Sequence, residues 1–161
     1  MNRIAGTGHR PKYCPCKYND NHPWLKNLKN RLYCDLDVGY NSGQISHIIT
    51  GMAIGFDTWL AEVAIELEIP IHCYIPFKGQ ESAWPTSTKE KYNQIIGKAE
   101  KVVVLHDQYK PSAFTERDRA MVDNCDMVFA LLNPLEQESG TFYTVKYAMS
   151  KKIKVENYWR D

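Results

Sequence analysis

A chain of 161 residues, 43% hydrophobic and 24% charged, is long enough to bury one continuous core and too ordinary in composition for a disordered or coiled-coil protein. Twenty Lys and Arg against nineteen Asp and Glu leave a formal net charge of +1. That gives no broad field to draw in nucleic acid or an anionic membrane, and neither is expected as a partner. The opening MNRIAGTGHR lacks the apolar core of a signal peptide, and no later apolar run approaches the ~20 residues that span a bilayer. The expectation is a single cytoplasmic domain over residues 1–161.

A brief first strand is expected around Arg3 to Ala5, followed by AGTGHRPKYCPC, which packs two glycines, a histidine, an arginine and a Cys-x-Cys pair into one short stretch. It can be read as a metal knuckle or as a loop that wraps an anion. Zinc needs four ligands, and Cys14, Cys16, His9 and His22 have poor spacing for it, so no metal is expected. The remaining cysteines are scattered; Cys73 and Cys125 lie beside apolar runs and read as small buried hydrophobes.

Trp24, Leu25, Leu28 and Leu32 recur at helical spacing and predict a helix from about Pro23 to Cys34. His47 to Thr50 reads as a strand ended by Gly51. A helix capped by Asp57 or Thr58 follows through Glu68, with Leu60, Val63, Ala64 and Leu67 as its apolar stripe. PIHCYIPF is the third strand, and Ser87 to Ala99 a helix facing inward through Tyr92, Ile95 and Ile96. KVVVLHD is an unbroken apolar run of the kind that fills a parallel strand covered on both faces. A short helix from Thr115, as its cap, to Asn124 leads to a buried strand at Asp126 to Leu132. A helix at Thr141 to Lys151 and a last strand, IKVENY, end the chain.

Strands alternating with helices predict an α/β fold: a Rossmann-like, doubly wound, mostly parallel sheet of five to six strands with helices on both faces. Ligands in such sheets bind at the carboxyl ends of the strands, so the loops after strands carry the chemistry. Those loops read GTGHRP, TGMAIGFD, PFKGQESAWP, HDQYKPSAFTER and NPLEQESGT. Gly6, Gly8, Gly51, Gly55 and Gly140 fall where a chain turns sharply or approaches a ligand closely. Two of the loops enter helices directly, whose free N–H groups suit a phosphate.

TGMAIGFDTWLAEVAIEL, PFKGQESAW, Tyr92, FTERDRAMVDNCDMVFALL and SGTFYTVKYA, in that order and spacing, resemble the YpsA-type branch of the SLOG superfamily. The resemblance runs from Gly6 to about Ala148. It implies a Rossmann-like fold, a nucleotide or nucleotide-derived ligand and, as in LOG-like members, a homodimer. The superfamily also includes the LOG phosphoribohydrolases and the Rossmann domain of DprA. Glu116 to Met121 matches the LOG segment that supplies a catalytic arginine, with Arg117 in its place. The LOG phosphate loop corresponds to the region ending Ser139 to Thr144, where Thr144 stands at the position of the LOG glutamate.

These readings assemble a candidate site. Gly6, Thr7, Gly8, His9 and Arg10, then Gly51, Met52, Ala53 and Gly55, and Ser139, Gly140 and Thr141 would hold the phosphate and sugar. Phe77 and Trp84 would offer rings to a base, or simply pack their loop onto the core. Arg117, Asp57 and Glu81 are the candidate catalytic groups; Arg117 equally suits an ion pair with Glu116 or Asp118, and Asp57 an ordinary cap. Hydrolysis of an N-glycosidic bond needs a carboxylate. With Thr144 in place of glutamate, Asp57, Glu81, Glu136 and Glu138 are the substitutes available. Three functions stay open: a nucleotide-binding sensor or processing protein with no further cofactor, an N-glycosidic hydrolase, and a DprA-like single-stranded DNA module.

Overall fold

The computed structural model describes residues 1–161. Its elements are β1 (Asn2–Gly8), a 3-10 turn at Pro11–Tyr13, α1 (Pro23–Asn41), β2 (Ile45–Thr50), α2 (Phe56–Glu66), β3 (Ile71–Phe77), α3 (Thr86–Lys98), β4 (Lys101–His106), α4 (Ala113–Asp123), β5 (Met127–Leu131), α5 (Gly140–Ser150) and β6 (Lys154–Asn157). The six strands lie in the order β4-β3-β2-β1-β5-β6, and every neighbouring pair is parallel. The chain steps outward from β1 to β4 and then returns to the far side of β1 for β5. The strand order therefore reverses between β1 and β5, which is where such a sheet opens a crevice at its carboxyl edge.

The four inner strands, β1, β2, β3 and β5, alternate between two cores, as the period of two requires. Ile4, Ile48, Cys73 and Phe129 point into a cluster with Leu25, Leu28, Leu32 and Leu36 of α1 and with residues of α2 and α3. Ala5, Ile49, Tyr74 and Val128 point the other way, against Met121 and Val122 of α4 and Val145 and Ala148 of α5. The fold is the doubly wound Rossmann-like sheet expected, and it is wholly parallel.

Helix α1 runs on to Asn41, well beyond Cys34, because Leu36 and Gly39 continue its buried stripe. Gly39 lets Ile45 pack directly on the helix: a Cβ there would sit 2.4 Å from Ile45 Cδ1. His22 caps this helix, its Nδ1 accepting from Trp24 N–H at 3.1 Å.

Three local expectations are corrected. Strand β4 is a sheet edge and not a strand covered on both faces: Val103 and Leu105 pack on the core, while Val102 and Val104, on the opposite face, are 43% and 48% exposed because that face lies outside both core clusters. Helix α4 starts at Ala113 after Ser112, so Thr115 lies inside its first turn and caps nothing. The cap position of α2 is Gly55, at φ 108°, and neither Asp57 nor Thr58 caps the helix. Both staple the preceding loop instead, Asp57 accepting from Ala53 N–H at 3.2 Å and Thr58 Oγ1 donating to the Ala53 carbonyl at 2.9 Å.

Candidate functional site

A cavity of about 440 Å³ opens where the strand order reverses. Its walls come from β1 (Gly6, Thr7, Gly8) and the segment after it (His9, Arg10, Tyr13), from Ala53 and Asp57 before and in α2, and from Phe114, Arg117 and Asp118 of α4. The β5–α5 loop and the start of α5 complete it with Glu136, Glu138, Ser139, Gly140 and Thr141.

Gly6, Thr7 and Gly8 belong to the strand and not to the loop after it, since β1 pairs with β5 as far as Gly8 against Leu131. Their glycines make room for α2. A Cβ on Gly6 would lie 2.3 Å from Leu60 Cδ2, and one on Gly8 2.4 Å from Phe56 Cβ. Gly55 needs its freedom twice over, for the positive φ and because a Cβ would meet the His9 carbonyl oxygen at 2.8 Å and Pro11 Cδ at 3.0 Å. These contacts pull the start of α2 against the segment that carries His9 and Arg10.

His9 is buried, with its ring edge-on to Tyr13 and Trp159. Its Nε2 accepts the Asn133 N–H at 2.9 Å, so that nitrogen is unprotonated, and burial holds the imidazole pKa below its ordinary value despite Glu136 nearby. His9 thus ties the β5–α5 loop to the end of β1. Arg10 beside it is exposed and makes no side-chain hydrogen bond in the protein.

Asp57 is 7% exposed, and burial raises its carboxyl pKa from 3.8 to about 6, against the opposing pull of Arg117. A carboxyl group poised near neutrality in a cavity is the kind of group that exchanges a proton. Arg117 is buried too, not on a solvated face. Its Nε donates to Asp118 Oδ1 at 2.7 Å and its Nη1 to the Gly51 carbonyl at 2.6 Å. Gln80, from the loop after β3, donates to the same carbonyl at 3.2 Å. Gly51 has no side chain because the guanidinium lies over it: a Cβ would stand 2.4 Å from Nη1.

The N-terminal turn of α5 forms the remaining wall. Ser139 Oγ accepts from Phe142 N–H at 3.1 Å, and the N–H groups of Gly140 and Thr141 have no acceptor in the protein. Thr144, one turn on, lies with its hydroxyl 2.9 Å from the Gly140 carbonyl and 3.3 Å from Asp118 Oδ2. Asp118 is thus the carboxylate that meets the Thr144 hydroxyl. In all, two arginines face four carboxylates across the cavity.

Not every residue picked from sequence comes here. Gly51 lies beneath Arg117, and Met52 is wholly buried in the core. Gly55 and Trp84 line a separate groove, Phe77 packs edge-on to Tyr109 and Phe114, and Glu81 lines neither. Tyr13, Phe114 and Asp118 are in the cavity as well, beyond the binding residues that the sequence singles out. Phe114 stands three residues before Arg117 on α4, a spacing that puts both on one helix face, and that was the available signal.

Residues 4–160 match the YpsA model, described as the YspA SLOG family. The chain belongs to the YspA SLOG family. The resemblance drawn from its motifs thus holds. Among relatives of this family, a UPF0398 protein of Lysinibacillus sphaericus is 30% identical, over 94% of this chain and 87% of the relative. Another, of Bacillus velezensis, is 25% identical over 94% and 86%. Two solved structures of DNA processing protein A share the fold. The Streptococcus pneumoniae protein superposes with a TM-score of 0.67 at 18% identity, covering 98% of this chain and 50% of its own. The Helicobacter pylori protein, described for its single-stranded DNA binding mode, also gives 0.67 at 18%, covering 96% and 64%. This chain thus spans half to two thirds of the length of those DprA chains. No helix of the structure is long and apolar enough to cross a membrane.

Proposed function

We propose that the protein binds a nucleotide or nucleotide-derived ligand in the cavity between β1 and β5. One observation carries this reading: the cavity is walled by the start of α5, where the Gly140 and Thr141 N–H groups have no acceptor of their own. Such a turn takes a phosphate without needing a basic surface, which accords with a net charge of +1. Arg10 adds a free guanidinium, and Arg117 offers Nη2, the group its bonds to Gly51 and Asp118 leave over. In this reading Asp57 and Asp118, which line the cavity, take the sugar hydroxyls, and Tyr13 and Phe114 take the flanks of a ring.

Isothermal titration with AMP, ADP-ribose, NAD and cyclic nucleotides tests the proposal. At least one should bind, and Gly140→Asp should weaken it tenfold or more by placing a negative charge against the phosphate. That substitution has open space around it, so the unfolding temperature should not change. No heat with any of these ligands, or unchanged affinity in Gly140→Asp, would contradict the reading.

A second reading, hydrolysis of the bond between base and sugar phosphate, draws on Asp57. A buried carboxyl at about 6 can hold a proton for a leaving base and, ionised, can activate water. Chromatography for free base after incubation separates an enzyme from a sensor. The single-stranded DNA reading rests on the likeness in fold to DprA, and a salt-dependent gel shift would support it.

A further inference from the structure

Behind the switch-point cavity lies a second and larger one, of about 580 Å³, between the segment after β1 and the loop leading into α3. Only a thin wall divides them. At three places consecutive residues face opposite sides: Arg10 and Pro11, Ala53 and Ile54, Asp57 and Thr58. Consecutive Cα atoms are about 3.8 Å apart, so the partition is about one residue thick. Gly55, on the groove side, keeps it thin, since any Cβ there would meet the backbone of His9.

The lining of the groove differs from that of its neighbour. Tyr18, Trp59, Trp84 and Tyr92 contribute rings from four different segments of the chain. Trp59 and Tyr92 are buried, Tyr18 is 70% exposed, and Trp84 is fixed edge-on to Tyr92 with ring centroids 5.5 Å apart. The charged groups largely cancel. Lys17 and Lys91 stand against Asp20 and Glu62, Glu62 being held by Lys29 at 3.2 Å and Lys91 at 3.5 Å and the Lys17 ammonium donating to the Lys12 carbonyl at 2.7 Å. A site with several aromatic faces, hydroxyls and no surplus cation favours a planar, uncharged ring system over a phosphate.

We infer that the groove is a subsite for the second nucleoside of a dinucleotide, whose bridging phosphates cross the partition from the switch-point cavity. The inference rests on the nucleotide reading proposed above and narrows its ligand to the class with two rings joined through phosphate. The first nucleoside and the phosphates lie against Arg10 and α5; the second base lies against Trp84 and Tyr18.

Titration of AMP against NAD and a diadenosine polyphosphate, on the intact protein and on Tyr18→Ala, Trp84→Ala and Trp84→Phe, tests it. The dinucleotides should bind about tenfold or more tightly than AMP, in line with one additional stacked base. Tyr18→Ala and Trp84→Ala should each remove much of that advantage and leave AMP binding unchanged, while Trp84→Phe retains most of it. Tyr18 is exposed enough that its variant keeps the fold even if Trp84→Ala does not. Equal affinity of the intact protein for AMP and the dinucleotides, or a loss in Tyr18→Ala shared equally by AMP, overturns the subsite while sparing the first cavity. Failure of AMP and dinucleotides alike overturns the parent reading and the subsite with it.

Discussion

Asp57→Asn should make the protein more stable at pH 7.5, by on the order of 2 to 3 kcal/mol, while impairing what the cavity does. Burial lifts this carboxyl from 3.8 to about 6, so the fold binds its proton more tightly than the unfolded chain does. Between about pH 4 and 6 the native state carries the extra proton, and stability attributable to Asp57 falls as pH rises through that window. Below it both states are protonated and the penalty is absent; above it both are ionised and the penalty is complete. Asparagine keeps an oxygen for the Ala53 N–H and carries no charge. The melting temperature should therefore rise by roughly 5 to 10 °C at pH 7.5 and little at pH 4, read by calorimetry at the two pH values. An unchanged difference between the two pH values would mean that Asp57 is not held near neutrality. The same group couples ligand binding to pH. An anion bound beside it raises its proton affinity further, so a ligand that does not itself titrate near neutrality, such as NAD, should bind more tightly at pH 5.5 than at 7.5. Asp57→Asn should flatten that dependence.

Gly8→Ala should cost about 3 kcal/mol or more, against little change for the same substitution at Gly140. The new methyl would lie 2.4 Å from Cβ and 2.6 Å from Cγ of Phe56, a side chain only 1% exposed and packed on all sides. A flexible tip could swing away; the root of a buried aromatic ring cannot, so helix α2 must shift off the strand. Shifting α2 also moves Asp57, which stands next to Phe56 in the chain, so loss of stability and loss of ligand binding should appear together. Gly140 and Gly97 have nothing within 4 Å of an added Cβ. Gly97→Ala, inside α3, should stabilise slightly, by about 0.5 to 1 kcal/mol. Chemical denaturation of the three variants measures the contrast. A Gly8→Ala protein as stable as the parent would refute the packing account of this glycine.

That contrast marks where the sequence could and could not be read. Six strands and five helices are legible because short apolar runs such as His47 to Thr50 and KVVVLHD mark the strands, while apolar residues recur at a spacing of three to four in segments such as Leu25 to Leu32. In the sequence Gly6 and Gly8 read as a loop because glycine signals a turn locally. Their actual cause, the approach of Phe56 and Leu60, lies about fifty residues away in the chain. The valines of β4 look as buried as those of an inner strand, and only the strand order makes them an edge. The same order explains the site. Arg10, Asp57, Arg117 and the start of α5 were legible because they follow β1 and β2 or flank β5, near the reversal. Glu81, Phe77 and Trp84 follow or end β3, which β2 separates from β1, so they stand roughly 10 Å aside. In the sequence Asp118 reads only as a partner for Arg117, and its place beside Thr144 depends on how α4 and α5 pack together.

The central claim is that a phosphate-bearing nucleotide sits on the first turn of α5 in the cavity between β1 and β5. Backbone amide shifts in a nitrogen-15-labelled sample titrated with AMP and NAD test it most directly. The account predicts the largest, saturable changes at the Gly140 and Thr141 amides, with Arg10 and Ala53 following at the same midpoint. Saturation without movement at Gly140 and Thr141, or no change anywhere in the spectrum, would contradict it.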